Sequence, residues 1–271
     1  MKNILEAPFI KEFGHILDKM YLNGWHERNS GNVSYILNEQ EIETYIDKKY
    51  VKREIELSCH VKDLKGKYIL VTGSGKYIKN VSKDPELNAG IIRIQENGNR
   101  ADIMWGFNDL GKPTSELSTH LLTHDMRLKV DPKHRVVIHT HATHTMAMTF
   151  VHELNDRAFT RTLWKMCTES IIVFPDGVGV LPWMLCGNAE IGYKTAEKMK
   201  SSRLVVWALH GVFASGVDLD DCFGLIETVE KSAQIYMMTA HLPKVNQLED
   251  DKLKLLADAF HVTFKDGYLD V

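Results

Sequence analysis

Two histidines separated by one residue, His139 and His141, close the apolar run Arg135-Val136-Val137-Ile138. On an extended strand alternate side chains share one side, so both imidazoles project together where the strand ends. Placed this way they can share a divalent cation such as Zn²⁺, at ~2.0–2.1 Å from each nitrogen. With 13 histidines in 271 residues such a pair also arises readily by chance. Its other reading is a pair of hydrogen-bonded histidines at a strand end. A third ligand has two candidates. His210 follows the apolar stretch Leu204–Trp207 and precedes Gly211, where backbone can approach a ligand closely. His144 is the rival, three residues past His141 on the helix expected there. Three imidazoles with an open fourth position are a catalytic arrangement, whereas structural zinc is usually closed by cysteines.

Three short polar turns supply donors for an anion: Asn29, Gly31 and Asn32; Ser74 and Gly75; Thr114 and Ser115. Their hydroxyls, amides and backbone N–H groups suit a phosphate without a lysine or arginine point charge. Each also reads simply as a tight turn. Gly73-Ser74-Gly75-Lys76 is no P-loop, because Leu70 and Tyr77 stand where that motif needs glycine and Ser/Thr. Glu116, in the first turn of a helix opened by Pro113-Thr114-Ser115, suits the helix dipole. If the turns converge on the histidines, it becomes a base. A metal that polarises a carbonyl while a carboxylate removes the adjacent C–H proton is a route to an enediolate.

The totals set bounds. Thirty-three basic residues against 36 acidic ones, net −3, leave no basic stripe, so no nucleic-acid partner is expected. Cys59, Cys167, Cys186 and Cys222 are scattered and form no Cys-x-x-Cys, against a disulfide framework or zinc knuckle. No apolar run reaches ~18 residues, and Met1–Tyr21 interleaves charges with apolar positions, unlike a signal peptide. A soluble cytoplasmic protein with no membrane association is the expectation.

Positioning these groups needs a substantial fold, and a hydrophobic fraction of 44% supplies its core. Ile10, Phe13, Ile16 and Met20 recur at helical spacing, with Gly24 closing that helix. Residues 38–66 read as strands joined by surface loops, and 68–72 as a strand. A short helix is expected at 84–89, then strands at 91–94 and 103–107. A helix capped by Thr114 or Ser115 should run to 129. After the histidine pair come helices at 144–151 and 156–166, strands at 171–174 and 178–182, and a helix capped by Asn188. Strands at 204–207 and 210–213 precede a long helix capped by Asp218 or Asp220 and a last one near 250–260. The pattern predicts one α/β domain over residues 1–271, with a mixed, largely antiparallel central sheet flanked by helices.

Several motifs together resemble the class II aldolase/adducin-like family, from the first helix to the last. They are Glu27-Arg28-Asn29-x-Gly31-Asn32, Val71-Thr72-Gly73-Ser74-Gly75-Lys76, Pro113-Thr114-Ser115-Glu116-Leu117, His139-x-His141-Ala142-Thr143 and His210-Gly211-Val212-Phe213. Phe174-Pro175-Asp176-Gly177-Val178-Gly179 with Leu181-Pro182-Trp183 points within that family to its rhamnulose branch. It disfavours fuculose-phosphate aldolase or ribulose-phosphate epimerase. The resemblance implies reversible retro-aldol cleavage of a small phosphorylated sugar, L-rhamnulose 1-phosphate, to dihydroxyacetone phosphate and L-lactaldehyde. It implies His139, His141 and His210 as ligands of one Zn²⁺ per subunit, and Glu116 as the catalytic acid/base. Asn29, Gly31, Asn32, Ser74, Gly75, Thr114 and Ser115 would bind phosphate. Glu169 would reach a neighbouring subunit's site in a homotetramer and handle the aldehyde hydroxyl proton, placing the site near a subunit interface. His144 is an extra imidazole that the family pattern does not require. A metal-free, adducin-like scaffold is the non-enzymatic alternative, disfavoured because every expected ligand is present.

Overall fold

The computed structural model describes residues 1–271. One nine-stranded sheet organises the chain. Its strands are β1 (Asn32–Ile36), β2 (Arg53–Glu56), β3 (Tyr68–Thr72), β4 (Ala89–Ile94) and β5 (Arg100–Gly106). They continue with β6 (Val136–Thr140), β7 (Val178–Leu181), β8 (Leu204–Trp207) and β9 (Gly211–Gly216). Their spatial order is β2-β5-β4-β3-β1-β6-β9-β8-β7. Every neighbouring pair is antiparallel except β7 with β8, so the sheet is mixed and largely antiparallel as expected.

Alternation along the strands builds a core on each face. Val33, Leu70, Val136, Ile138, Val206 and Val212 pack into one cluster with helices Pro8–Leu22, Asp156–Trp164 and Leu219–Thr239. Ile69, Val71, Val137, Val205 and Phe213 turn to the other side, toward helices Leu117–Val130 and Ala189–Lys198. His139 continues the alternation of Val137, and therefore lies on the face covered by the helix that Glu116 begins.

Antiparallel order also decides which loops meet. The end of β3, the start of β1, the end of β6, the start of β9 and the end of β8 all lie along one edge of the sheet. That edge carries the 29–32 turn, the 73–75 turn, His139, His141 and His210. Convergence is thus a property of the topology.

Several expectations need correction. Residues 171–174 form no strand; Ser170–Val173 is a helical turn with Glu169 at its N-cap. Ile171 and Phe174 are both fully buried at i, i+3 spacing, and that burial outweighs the β-branched run. Neither Thr114 nor Ser115 caps the following helix. Its N-cap is Glu116, whose carboxylate turns into the protein, while Thr114 Oγ1 accepts the Glu116 N–H at 3.3 Å. Within 38–66, strand β2 is accompanied by helical turns at Glu39–Ile42 and Lys62–Leu64. His210 stands in a turn, and its strand starts at Gly211. No helix is long and apolar enough to cross a membrane.

Candidate active site

The ligand atoms of His139, His141 and His210 lie within 4.8 Å of one another. Ring centroids are 5.4 Å apart for His139 and His141, 4.9 Å for His139 and His210, and 5.2 Å for His141 and His210. The last β6 residues bring the first two histidines. The third comes from the tight β8–β9 hairpin, which closes on the pair Trp207–Gly211. Leu209 in that turn adopts φ 62°, a left-handed conformation unusual for leucine. Gly211 is needed for a different reason: a Cβ there would stand 2.4 Å from the Thr140 carbonyl oxygen. The glycine lets the hairpin press against the end of β6, and so presses His210 toward His141.

Each first-pair imidazole has one nitrogen already committed. His139 Nδ1 donates to the Val212 carbonyl at 2.9 Å, and His141 Nδ1 lies 2.7 Å from Glu27 Oε1. Both rings therefore present Nε2 to the shared space, and such outer partners fix the tautomer of a metal-binding imidazole. His139 stacks on Phe213 at 4.6 Å and packs against Trp207 at 5.2 Å. Burial, with the neighbouring imidazoles adding to it, holds the His139 pKa well below the ordinary histidine value, so its ring is neutral. Burial also lowers that of His210, with Glu116 opposing. Three imidazole nitrogens pointing at one space fit a divalent cation.

Glu116 is the carboxylate at this cluster. Its Oε2 stands 3.6 Å from His139 Nε2 and accepts from Asn32 Nδ2 at 2.8 Å. Burial raises its pKa above the usual carboxylate range, with the Asn32 amide working against that rise. Cys186, in the exposed loop before helix Ala189–Lys198, places its sulfur within 4.8 Å of ligand atoms of both Glu116 and His210. The rival ligand His144 is engaged elsewhere: its Nδ1 and its backbone N–H each lie 2.8 Å from Glu230 Oε1.

Two of the polar turns are tied together. Ser74 N–H donates to the Lys112 carbonyl at 2.8 Å and Thr114 N–H to the Thr72 carbonyl at 2.9 Å. Ser74, Thr114 and Ser115 consequently line one cavity of about 590 Å³, together with Lys112. The third turn adjoins them because Val33 N–H donates to Thr72 Oγ1 at 3.1 Å. Gly31, at φ 72°, lies against the His26 ring, and Gly75 adopts φ 70° in open space. Asn29 is exposed; Asn32 is buried with both ends of its amide engaged. Glu169 is exposed and accepts from Cys167 Sγ at 2.9 Å, with no hydrogen bond or ion pair to Glu116 or the three histidines.

Sequence reasoning passed over Glu27, His26, His120 and His124. Glu27 opens the Glu27-Arg28-Asn29-x-Gly31-Asn32 motif, yet nothing in the sequence says its carboxylate meets His141. The two later histidines follow Glu116 at i+4 and i+8, a spacing that places all three on one helix face.

A match to the class II aldolase and adducin N-terminal domain family spans residues 11–237. The chain belongs to that family. It is 50% identical over 270 residues to the rhamnulose-1-phosphate aldolase of Listeria monocytogenes serovar 1/2a, covering 99% of each chain. It is likewise 50% identical over 269 residues to the Enterococcus faecalis protein of that name, covering 99% of this chain and 96% of the other. Among solved structures, the sugar-phosphate aldolase of Thermotoga maritima superposes with a TM-score of 0.75 at 28% identity. That alignment covers 88% of this chain and 97% of the other.

Proposed function

We propose that the chain catalyses reversible retro-aldol cleavage of L-rhamnulose 1-phosphate to dihydroxyacetone phosphate and L-lactaldehyde. The observation that carries this reading is the Glu116 carboxylate, 3.6 Å from His139 Nε2 beside a set of three imidazoles. It is supported by half-identity to curated aldolases over nearly their whole length.

His139, His141 and His210 would hold one Zn²⁺ per subunit, which supplies Lewis-acid polarisation of the ketone oxygen. The proton work belongs to Glu116. In the condensation direction it takes a proton from the hydroxymethyl carbon of dihydroxyacetone phosphate; in cleavage it returns one to that carbon. A raised pKa suits this double duty, because the group must hold a proton in one direction and release it in the other. Asn29, Gly31, Asn32, Ser74, Gly75, Thr114 and Ser115 bind the phosphate, and the Asn32 side-chain amide also donates to Glu116. The phosphate anchors the sugar so that its reacting carbon meets the carboxylate.

Glu169 acts in a neighbouring subunit's site within a homotetramer, where it handles the aldehyde hydroxyl proton. Its exposure and its lack of a contact with its own chain's imidazoles support that assignment. Residues 1–271 form one catalytic domain working in the cytoplasm on a small phosphorylated sugar.

Purified protein given L-rhamnulose 1-phosphate should release dihydroxyacetone phosphate, lose that activity on chelation and regain it with Zn²⁺. Full activity after verified metal removal overturns the zinc assignment. Faster turnover of fuculose 1-phosphate, or epimerisation of ribulose 5-phosphate without release of fragments, overturns the substrate assignment.

A further inference from the structure

Behind Glu116 and Asn32 runs a file of buried polar side chains, His120, Ser34 and His124, that no part of the reaction described above uses. Asn32 Nδ2 donates to Glu116 Oε2 at 2.8 Å. The other end of the same amide, Oδ1, makes a short hydrogen bond with His120 Nε2. His120 Nδ1 lies 2.7 Å from Ser34 Oγ, and Ser34 Oγ lies 2.8 Å from His124 Nε2. Asn32 and Glu116 are almost completely buried, and Ser34, His120 and His124 wholly so.

The order of donors along this file is forced. Glu116 as a carboxylate can only accept, so Asn32 must face it with its NH₂ group. The amide oxygen then faces His120, which must carry its proton on Nε2. Burial draws the His120 pKa well below the ordinary value and that of His124 to about 3, so both rings are neutral. A neutral His120 protonated on Nε2 accepts at Nδ1, and takes the Ser34 hydroxyl proton. Ser34 oxygen in turn accepts from His124 Nε2–H. His124 Nδ1 is left with no partner, as a lone pair rather than a stranded N–H. Every donor in the file therefore points toward Glu116.

Two elements supply it at their natural periods. Glu116, His120 and His124 are i, i+4 and i+8 at the start of one helix, and Asn32 and Ser34 are i, i+2 on β1. Buried polar groups in such a file are costly unless they are paired, so a file paired at every link up to the His124 Nδ1 lone pair asks for a purpose.

We propose that His120, backed by Ser34 and His124, is a positioning residue for the reaction: through Asn32 it locks the Glu116 carboxylate beside the metal ligands, with an N–H always aimed at Oε2. The proposal rests on the aldolase reading for what Glu116 does, though not for the file itself. Without His120 the Asn32 amide is free to flip and present its oxygen to the carboxylate, which repels it.

The test uses the zinc-loaded protein and two replacements with opposite reach. In His120→Asn the amide oxygen can still accept from Ser34 but falls short of Asn32. In His120→Gln the longer side chain brings an N–H to Asn32. The expected result is a loss of about tenfold in kcat for His120→Asn, the scale of one hydrogen bond to a charged group, with KM and zinc content held. His120→Gln should recover kcat to within about threefold of the parent. Ser34→Ala removes only a hydroxyl, guards against misfolding as the cause, and should lower kcat with KM unmoved. Equal losses in both His120 variants, or an unchanged kcat in His120→Asn and Ser34→Ala, overturn the proposal.

A second readout needs no substrate. Imidazole ¹⁵N shifts of metal-free protein should show His120 and His124 each fixed with the proton on Nε2, and Ser34→Ala should mix the tautomers. Mixed tautomers in the parent protein overturn the file. Fixed tautomers in a protein that fails to cleave the sugar phosphate overturn the aldolase reading instead.

Discussion

The carboxylate of Glu27 lies 2.7 Å from His141 Nδ1, across 114 residues of sequence. It leaves Nε2 as the ring's free donor and turns it toward His139 and His210. Outer partners of this kind typically change metal affinity 10–100-fold when removed. Glu27→Ala should therefore weaken zinc binding by about 10–100-fold, read by competition against a coloured chelator. An unchanged affinity would mean that the contact does not orient the ring.

Glu116→Ala should abolish hydrogen–deuterium exchange at the reacting carbon of dihydroxyacetone phosphate in D₂O while metal content stays at one per chain. The expected loss in turnover is about 10²–10⁴-fold, the scale of a positioned acid/base. Exchange at the parent rate would remove Glu116 from the proton step.

Gly211→Ala puts a methyl group 2.4 Å from the Thr140 carbonyl oxygen and 3.2 Å from the His141 ring, where β6 and β9 pair. The strands must part, at a cost of about 1–3 kcal/mol. Both the melting temperature and zinc affinity should drop, because the hairpin carries His210. A variant that melts with the parent and binds zinc equally well would show that the hairpin tolerates the displacement.

Buried neutral histidines make the fold acid-sensitive. Burial draws His26 and His124 to about 3, and His134 to about 4. In the unfolded chain each titrates near 6.5. Between about 6.5 and those lower values the unfolded chain holds protons that the folded one does not, so stability rises with pH there. Their contribution is whole above about pH 6.5 and is lost as the pH falls toward 3–4. For chelated protein, melting temperature should be level from pH 8 to 7 and fall steadily from 6.5 to 5. A level curve down to pH 5 would contradict neutral burial of these rings.

Glu169→Ala should lower kcat for cleavage and leave zinc content and deuterium exchange into dihydroxyacetone phosphate intact, since that exchange needs no aldehyde. Sedimentation of the parent protein should give a tetramer of the 31.0 kDa chain. A monomer with full activity would end the role given to Glu169.

Much of the site was open to reading from local patterns. His139-x-His141 at the end of a β-branched run and His210-Gly211 after another are signals that strand geometry makes specific. The 171–174 stretch misled because Ile171, Ile172 and Val173 favour a strand, while the buried pair Ile171 and Phe174 needs a helical turn. Glu116 reads as a dipole partner in the sequence because the residue that holds its carboxylate inward, Asn32, is 84 positions away in the chain. His120 and His124 escaped notice for a related reason. A helix face carrying three polar groups reads as a wetted one, and only the tertiary fold reveals that β1 covers it.

The pairing of His139 with Phe213 across β6 and β9 has a consequence for how errors are tolerated. Side chains alternate along a strand, so a slip of one residue between these two would send His139 to the opposite face, among Val136 and Ile138. It would also carry His210 about one strand step, ~3.4 Å, out of reach. Misaligned strands and a scattered donor set are thus the same accident, and a chain that captures its cation has, by doing so, certified its own alignment.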